Sequence, residues 1–91
     1  MYSEEGLVLN LILKNTNAIT FAYQKYGPAL YGTIRIHATA DVDLIFIATF
    51  TRIFNTIDEY DSTKCRFFTW MYRIMMDEVK KSKNEPEPLT N

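Results

Sequence analysis

Apolar residues recur along this chain at spacings of three and four, with few turn-forming residues between them. From Glu4 to about Lys14, Leu7, Leu11 and Ile12 share a face. Ser3 stands where an N-cap belongs, and Glu4 and Glu5 suit the positive end of a helix dipole. Thr16 or Asn17 restarts the chain, and Ile19, Tyr23, Tyr26, Leu30 and Ile34 then trace a second amphipathic helix. Pro28 lies inside that pattern, where its missing amide predicts a kink or the start of a new helix. Thr39 to Asp41 offers the next cap, for a third helix reaching about Ile57 with Val42, Ile45, Phe46, Phe50, Ile53 and Phe54 facing inward. Asp58 to Lys64 reads as a polar loop turned by Asp61 and Ser62. A fourth helix follows from about Arg66 to Lys83, with Phe67, Trp70 or Met71, Ile74 and Val79 on its core face.

Glycine and proline are absent between residues 33 and 85, which argues against a many-turned β fold. The expectation is an all-α bundle of about four helices over residues 1–83, with a proline-bearing linker or tail at 84–91. A hydrophobic content of 47% in 91 residues supports one small folded domain.

The third helix carries more apolar surface than one core face needs. Leu44, Ile47, Ala48 and Thr51 form a second stripe beside the inward one. Either this stripe meets a partner, or the first helix folds over it and makes it core.

Charge is distributed unevenly. The formal net charge is -1, yet residues 1–61 carry -3. Residues 62–84 carry +4 from Lys64, Arg66, Arg73, Lys80, Lys81 and Lys83 against Asp77 and Glu78. In the segment Tyr60–Ile74 these cations interleave with Phe67, Phe68, Trp70 and Tyr72. Cations neutralise phosphates and aromatic faces stack on unpaired bases, so the segment is a candidate grip on single-stranded nucleic acid. Aromatics at helical spacing also fill cores, and that reading stays open. Lys80, Lys81 and Lys83 equally suit the negative end of a helix dipole.

Other chemistry is thinly represented. His37 is the sole histidine and no glycine-rich phosphate loop occurs, so no enzymatic activity, metal or other cofactor is expected. Cys65 is the sole cysteine, which excludes an internal disulfide and fits a reducing compartment. The N-terminus lacks a signal-peptide pattern, and no apolar stretch approaches the roughly 20 residues of a membrane span. A cytoplasmic, non-membrane protein is the expectation.

Three segments, Tyr23–Gly32, Thr49–Asp61 and Lys64–Ile74, resemble, in that order, region 2 of bacterial extracytoplasmic-function sigma factors. Tyr23-Gln24-Lys25-Tyr26-Gly27-Pro28-Ala29-Leu30-Tyr31-Gly32 looks like its opening helix. Thr49-Phe50-Thr51-Arg52-Ile53-Phe54, followed by Ile57-Asp58-Glu59-Tyr60-Asp61, resembles the next helix and its exit. Lys64-Cys65-Arg66-Phe67-Phe68-Thr69-Trp70-Met71-Tyr72-Arg73-Ile74 resembles the promoter-melting segment and is the most specific piece. The similarity covers roughly residues 7–83.

The resemblance implies a helical domain that docks on the clamp helices of core RNA polymerase and opens promoter DNA at the minus-ten element. It assigns the loop from Asp61 to Phe67, including Lys64, Cys65 and Arg66, to a base flipped from the non-template strand. Phe68, Thr69, Tyr72 and Arg73 would follow the melted strand, Trp70 would face either DNA or core, and this chain's own Lys80, Lys81 and Lys83 could still engage phosphates. The docking helix corresponds to Asp43, Leu44, Ile47, Ala48 and Thr51. Here the family's acidic residues are reduced to Asp43, so the stripe could instead serve a divergent polymerase, an anti-sigma factor or a homodimer. In the fourth helix, Ile74-Met75-Met76-Asp77 replaces the family's Ile-Ala-Arg-Asn and removes two DNA-contacting donors. The run Glu85-Pro86-Glu87-Pro88 looks like the start of a linker to the family's helix-turn-helix domain.

Overall fold

A computed structural model of the chain describes residues 1–83. Four α-helices follow one another: α1 at Glu4–Ile12, α2 at Thr16–His37, α3 at Val42–Asn55 and α4 at Phe67–Lys83. A single 3₁₀ turn, Ile57–Glu59, lies between α3 and α4. The all-α bundle expected from the periodicity is the observed fold; the linker expected at 84–91 lies outside the described residues.

Local chemistry explains most boundaries. The Ser3 hydroxyl accepts the Gly6 amide at 3.0 Å and opens α1 as expected. α1 stops at Ile12, because Lys14 adopts a left-handed backbone with φ of 62° and reverses the chain. Asn15, rather than Thr16 or Asn17, caps α2, its side-chain oxygen accepting the amides of Asn17 at 2.8 Å and Ala18 at 3.3 Å. α2 does not restart at Pro28 but continues through it. Gln24, whose carbonyl loses its partner to the proline ring, is exposed, so water can satisfy that group. α3 ends two residues before the expected Ile57. The Thr56 hydroxyl donates to the Arg52 carbonyl at 2.7 Å, and the chain tightens into the 3₁₀ turn that buries Ile57.

α4 packs against both α2 and α3, while α1 packs against α2 and the 3₁₀ turn. Leu7 and Leu11 seal one end of the core, but Ile12 stays 40% exposed, so its expected place on the inward face of α1 is corrected. A helix of nine residues has room for only a narrow inward stripe. The inward face of α2 is also shifted. Leu30 and Ile34 are buried as expected, but in its first half Ala18 and Ala22 are sealed instead of Ile19 and Tyr23. Small side chains let the helices approach closely, and Tyr23 lies at the rim with its ring 4.4 Å from that of Phe50. On α3, Ile45, Phe50 and Ile53 are buried, joined by Thr49, whose hydroxyl donates to the Ile45 carbonyl at 2.7 Å. That bond removes the cost of burying a polar group.

Candidate nucleic-acid interface

α4 begins where the chain leaves a tightly held loop. The Asp61 carboxylate accepts from the Thr63 amide at 2.9 Å and from the Thr63 hydroxyl at 2.6 Å, which holds its pKa below the usual carboxylate value. The Lys64 amide closes the turn on the Asp61 carbonyl at 3.0 Å. At the far end the Tyr60 hydroxyl donates to the Cys65 carbonyl at 2.7 Å, and the Glu4 carboxylate accepts the Phe67 amide at 3.3 Å. Glu4 thus serves one of the orphan donors at the start of α4, across 63 residues of sequence. Burial, followed by the nearby Glu4 charge, raises the Tyr60 phenol pKa.

Within this frame the aromatic residues divide. Phe67 is fully buried, its ring 5.3 Å from that of Tyr60 and stacked at 6.0 Å on that of Trp70. The expectation that Phe67 contacts an unpaired base is therefore corrected. The first inward position of α4 puts its ring into the core, where no base can reach it. Trp70 is half-buried and packed against the core beside Tyr60 at 5.4 Å, which favours the packing role. Phe68 and Tyr72 are 37% and 36% exposed, with ring centroids 6.3 Å apart on the flank of α4 that faces α2.

The cations divide in the same way. α3 and α4 are clamped by Arg52, whose guanidinium donates to the Asp77 carboxylate and to the Glu78 carboxylate at 3.0 Å. Lys81 joins Glu78 at 3.4 Å. Both acids of α4 are thereby engaged, and the Arg52 hydrogen bond holds the Asp77 pKa below the usual carboxylate value. Arg66, Arg73 and Lys80 are exposed, and none joins the ion pairs found among the described residues. At successive separations of seven residues they lie nearly in line, about 10.5 Å apart along the axis. Thr69 is exposed on the same side of α4. Lys64 is exposed in the loop and Cys65 is half-buried there. The structure therefore leaves Arg66, Thr69, Arg73 and Lys80 accessible along one side of α4 and Phe68 and Tyr72 accessible on its flank toward α2, with Phe67, Trp70 and Lys81 in packing or pairing roles.

Two neighbouring residues on α2 extend this surface. The Tyr26 ring lies 6.1 Å from that of Phe68, and the Lys25 ammonium sits 5.7 Å over the Tyr26 ring. Sequence reasoning placed Tyr26 only on the core face of its helix. No local pattern announces that α2 and α4 meet with Tyr26 beside Phe68. The resulting row of rings, Tyr26, Phe68 and Tyr72, offers stacking faces with the Lys25 ammonium at one end and the α4 cations round the helix from it.

The expected docking residues lie on α3. Leu44 and Ile47 are 65% and 57% exposed, Thr51 is exposed and Ala48 is half-buried. α1 does not fold over this stripe, so the alternative that makes it core is corrected. The Asp43 carboxylate accepts the Tyr31 hydroxyl at 2.7 Å, and that bond raises the tyrosine pKa. No helix among the described residues is long and apolar enough to cross a membrane. No protein-family model, curated protein or solved structure matches this chain.

Proposed function

We propose that this chain is a sigma-factor region 2 domain, which binds core RNA polymerase and holds the melted non-template strand of the minus-ten promoter element. The observation that carries the proposal is the exposed surface of α4. There Arg66, Arg73 and Lys80 run along one side outside the ion pairs of the described residues, and the exposed rings of Phe68 and Tyr72 lie on the flank toward α2. Phosphates follow the cations while unstacked bases lie on the rings. Unstacking a base costs a few kcal/mol, and stacking on such rings returns an energy of that order. The ordered loop from Asp61 to Arg66 supplies Lys64 and Arg66 at the entry of the strand. The exposed α3 stripe, with Asp43 at its start, is the proposed polymerase-docking surface.

The exposure of Leu44 and Ile47 favours one further reading, a sigma-like module whose α3 stripe binds another protein or a second copy and which has no promoter activity. Fluorescence anisotropy with a labelled single-stranded oligonucleotide, its duplex form and the isolated polymerase clamp helices separates the two. The first reading requires a preference for the single strand, weakened in Arg73→Ala, together with capture of the clamp helices. Failure of both, with a concentration-dependent dimer that Ile47→Glu dissolves, would establish the second.

A further inference from the structure

We propose that the groove between α1 and the loop after the 3₁₀ turn docks an amphipathic helix with a basic rim, supplied by another protein. The groove holds about 200 Å³ and is lined by Glu4, Glu5, Val8, Leu9 and Ile12 on one side and by Tyr60 and Ser62 on the other. Leu7 and Leu11 already anchor α1 to the bundle, yet the same short helix and its C-cap leave Leu9 56%, Ile12 40% and Leu13 67% exposed. A helix apolar on two sides calls for a second burial partner.

Charge selects the partner. Glu4 and Glu5 stand in the groove, and Asp58, Glu59 and Asp61 are exposed on the adjoining turn and loop that pack beside α1. Three cations lie nearby, among them Arg66, whose charge acts on the Tyr60 phenol. The Lys14 ammonium donates to the Phe54 carbonyl at 2.8 Å, and Lys64 projects from the loop. An anionic strand or an anionic lipid surface is repelled by this carboxylate set. A helix with leucine-like residues at i, i+3, i+4 and i+7 fits the apolar floor, and lysine or arginine beside that ridge meets the rim. The nine residues of α1 give the partner about 13.5 Å of track, an area at the small, transient end of protein interfaces.

Occupancy of this groove reaches the start of α4. Tyr60 lines the groove and also holds the Cys65 carbonyl, while Glu4 lines it and also holds the Phe67 amide. A bound helix therefore touches both side chains that fasten the far end of the loop. This inference stands on the α1 surface alone and does not depend on a nucleic-acid role for α4.

The test titrates the ¹⁵N-labelled protein with a synthetic amphipathic peptide of leucine and lysine, about 18 residues long to cover the track with margin. A leucine–glutamate peptide of the same pattern and a scrambled leucine–lysine peptide without an apolar face serve as controls. The expected result is saturable binding that shifts the amides of residues 4–13 and 58–67, with both controls about tenfold weaker or worse. Leu9→Ser should weaken binding about tenfold with little change in melting temperature. Glu5→Lys should weaken it as much while lowering the melting temperature by a few degrees, since a cation then stands at the positive end of α1. Equal binding of the scrambled peptide, shifts centred on Leu44 and Ile47, or indifference to Leu9→Ser would overturn the proposal. Self-association that Leu9→Ser abolishes would also overturn it, assigning the groove to a second copy.

Discussion

One residue of advance along a helix rotates a side chain by about 100°, and that rotation separates Phe67 from Phe68. Phe67 enters the core against Tyr60 and Trp70, whereas Phe68 lies at the rim between Tyr26 and Tyr72. Their substitutions should therefore separate stability from binding. Phe67→Ala removes a fully buried ring and should cost about 3–5 kcal/mol, read as a large fall in melting temperature. Phe68→Ala should leave most of the stability intact and weaken single-strand binding by about 1–3 kcal/mol, read by anisotropy. Comparable melting curves for the two variants would contradict the division. The spacing of Phe67, Ile74 and Val79 puts Phe67 on the core face, as observed; the aromatic–basic composition of Tyr60–Ile74 and the family resemblance pointed instead to a base contact. The Glu4 bond to the first amide of α4 spans 63 residues and was illegible. The inclusion of Tyr26 was likewise illegible, since it follows from how α2 crosses α4.

At the scale of elements, the order of four helices and the loop before the last were readable because spacings of three and four persist through each helix. The register of α2 was less readable. Hydrophobicity favours Ile19 and Tyr23, whereas close packing places Ala18 and Ala22 at the contact, a choice made by the neighbouring helix. The Arg52 clamp was also hidden, because it joins residues 25 and 26 positions apart. It makes a pH-dependent prediction. Asp77 has a folded-state pKa below its unfolded value because Arg52 donates to its carboxylate, so the unfolded chain takes up the proton more readily. The contribution is present above the unfolded value of about 3.9 and is lost as pH falls through the depressed folded value. Asp77→Asn should thus melt below the parent protein at neutral pH, and the gap should close in acid. Asp61 is depressed for a separate reason, its hydrogen bonds to Thr63, so the difference between the two proteins is the informative measurement rather than either profile alone. A gap that persists unchanged into acid would show that the clamp does not act through the charge of Asp77.

For the molecule as a whole the formal charge is only -1, yet its charges are segregated. Carboxylates gather around α1 and the 3₁₀ turn, while the acids of α4 are drawn into the Arg52 clamp and leave a cationic line on its outer face. This arrangement gives the proposed strand binding a definite salt signature. Each neutralised phosphate on a single strand contributes about -0.7 to the slope of log K against log salt concentration. Three contacts, from Arg66, Arg73 and Lys80, therefore predict a slope near -2. Removing Arg73 or Lys80 singly should flatten the slope by about 0.7 while lowering affinity for all sequences alike, since phosphate contacts position a strand without reading it. Phe68→Ala should lower affinity and leave the slope unchanged, because stacking displaces no counterion. Anisotropy titrations across a salt series distinguish the two classes directly. A slope near zero, or one that Arg73→Ala and Lys80→Ala leave untouched, would remove α4 as the strand-binding face even if the chain still bound DNA.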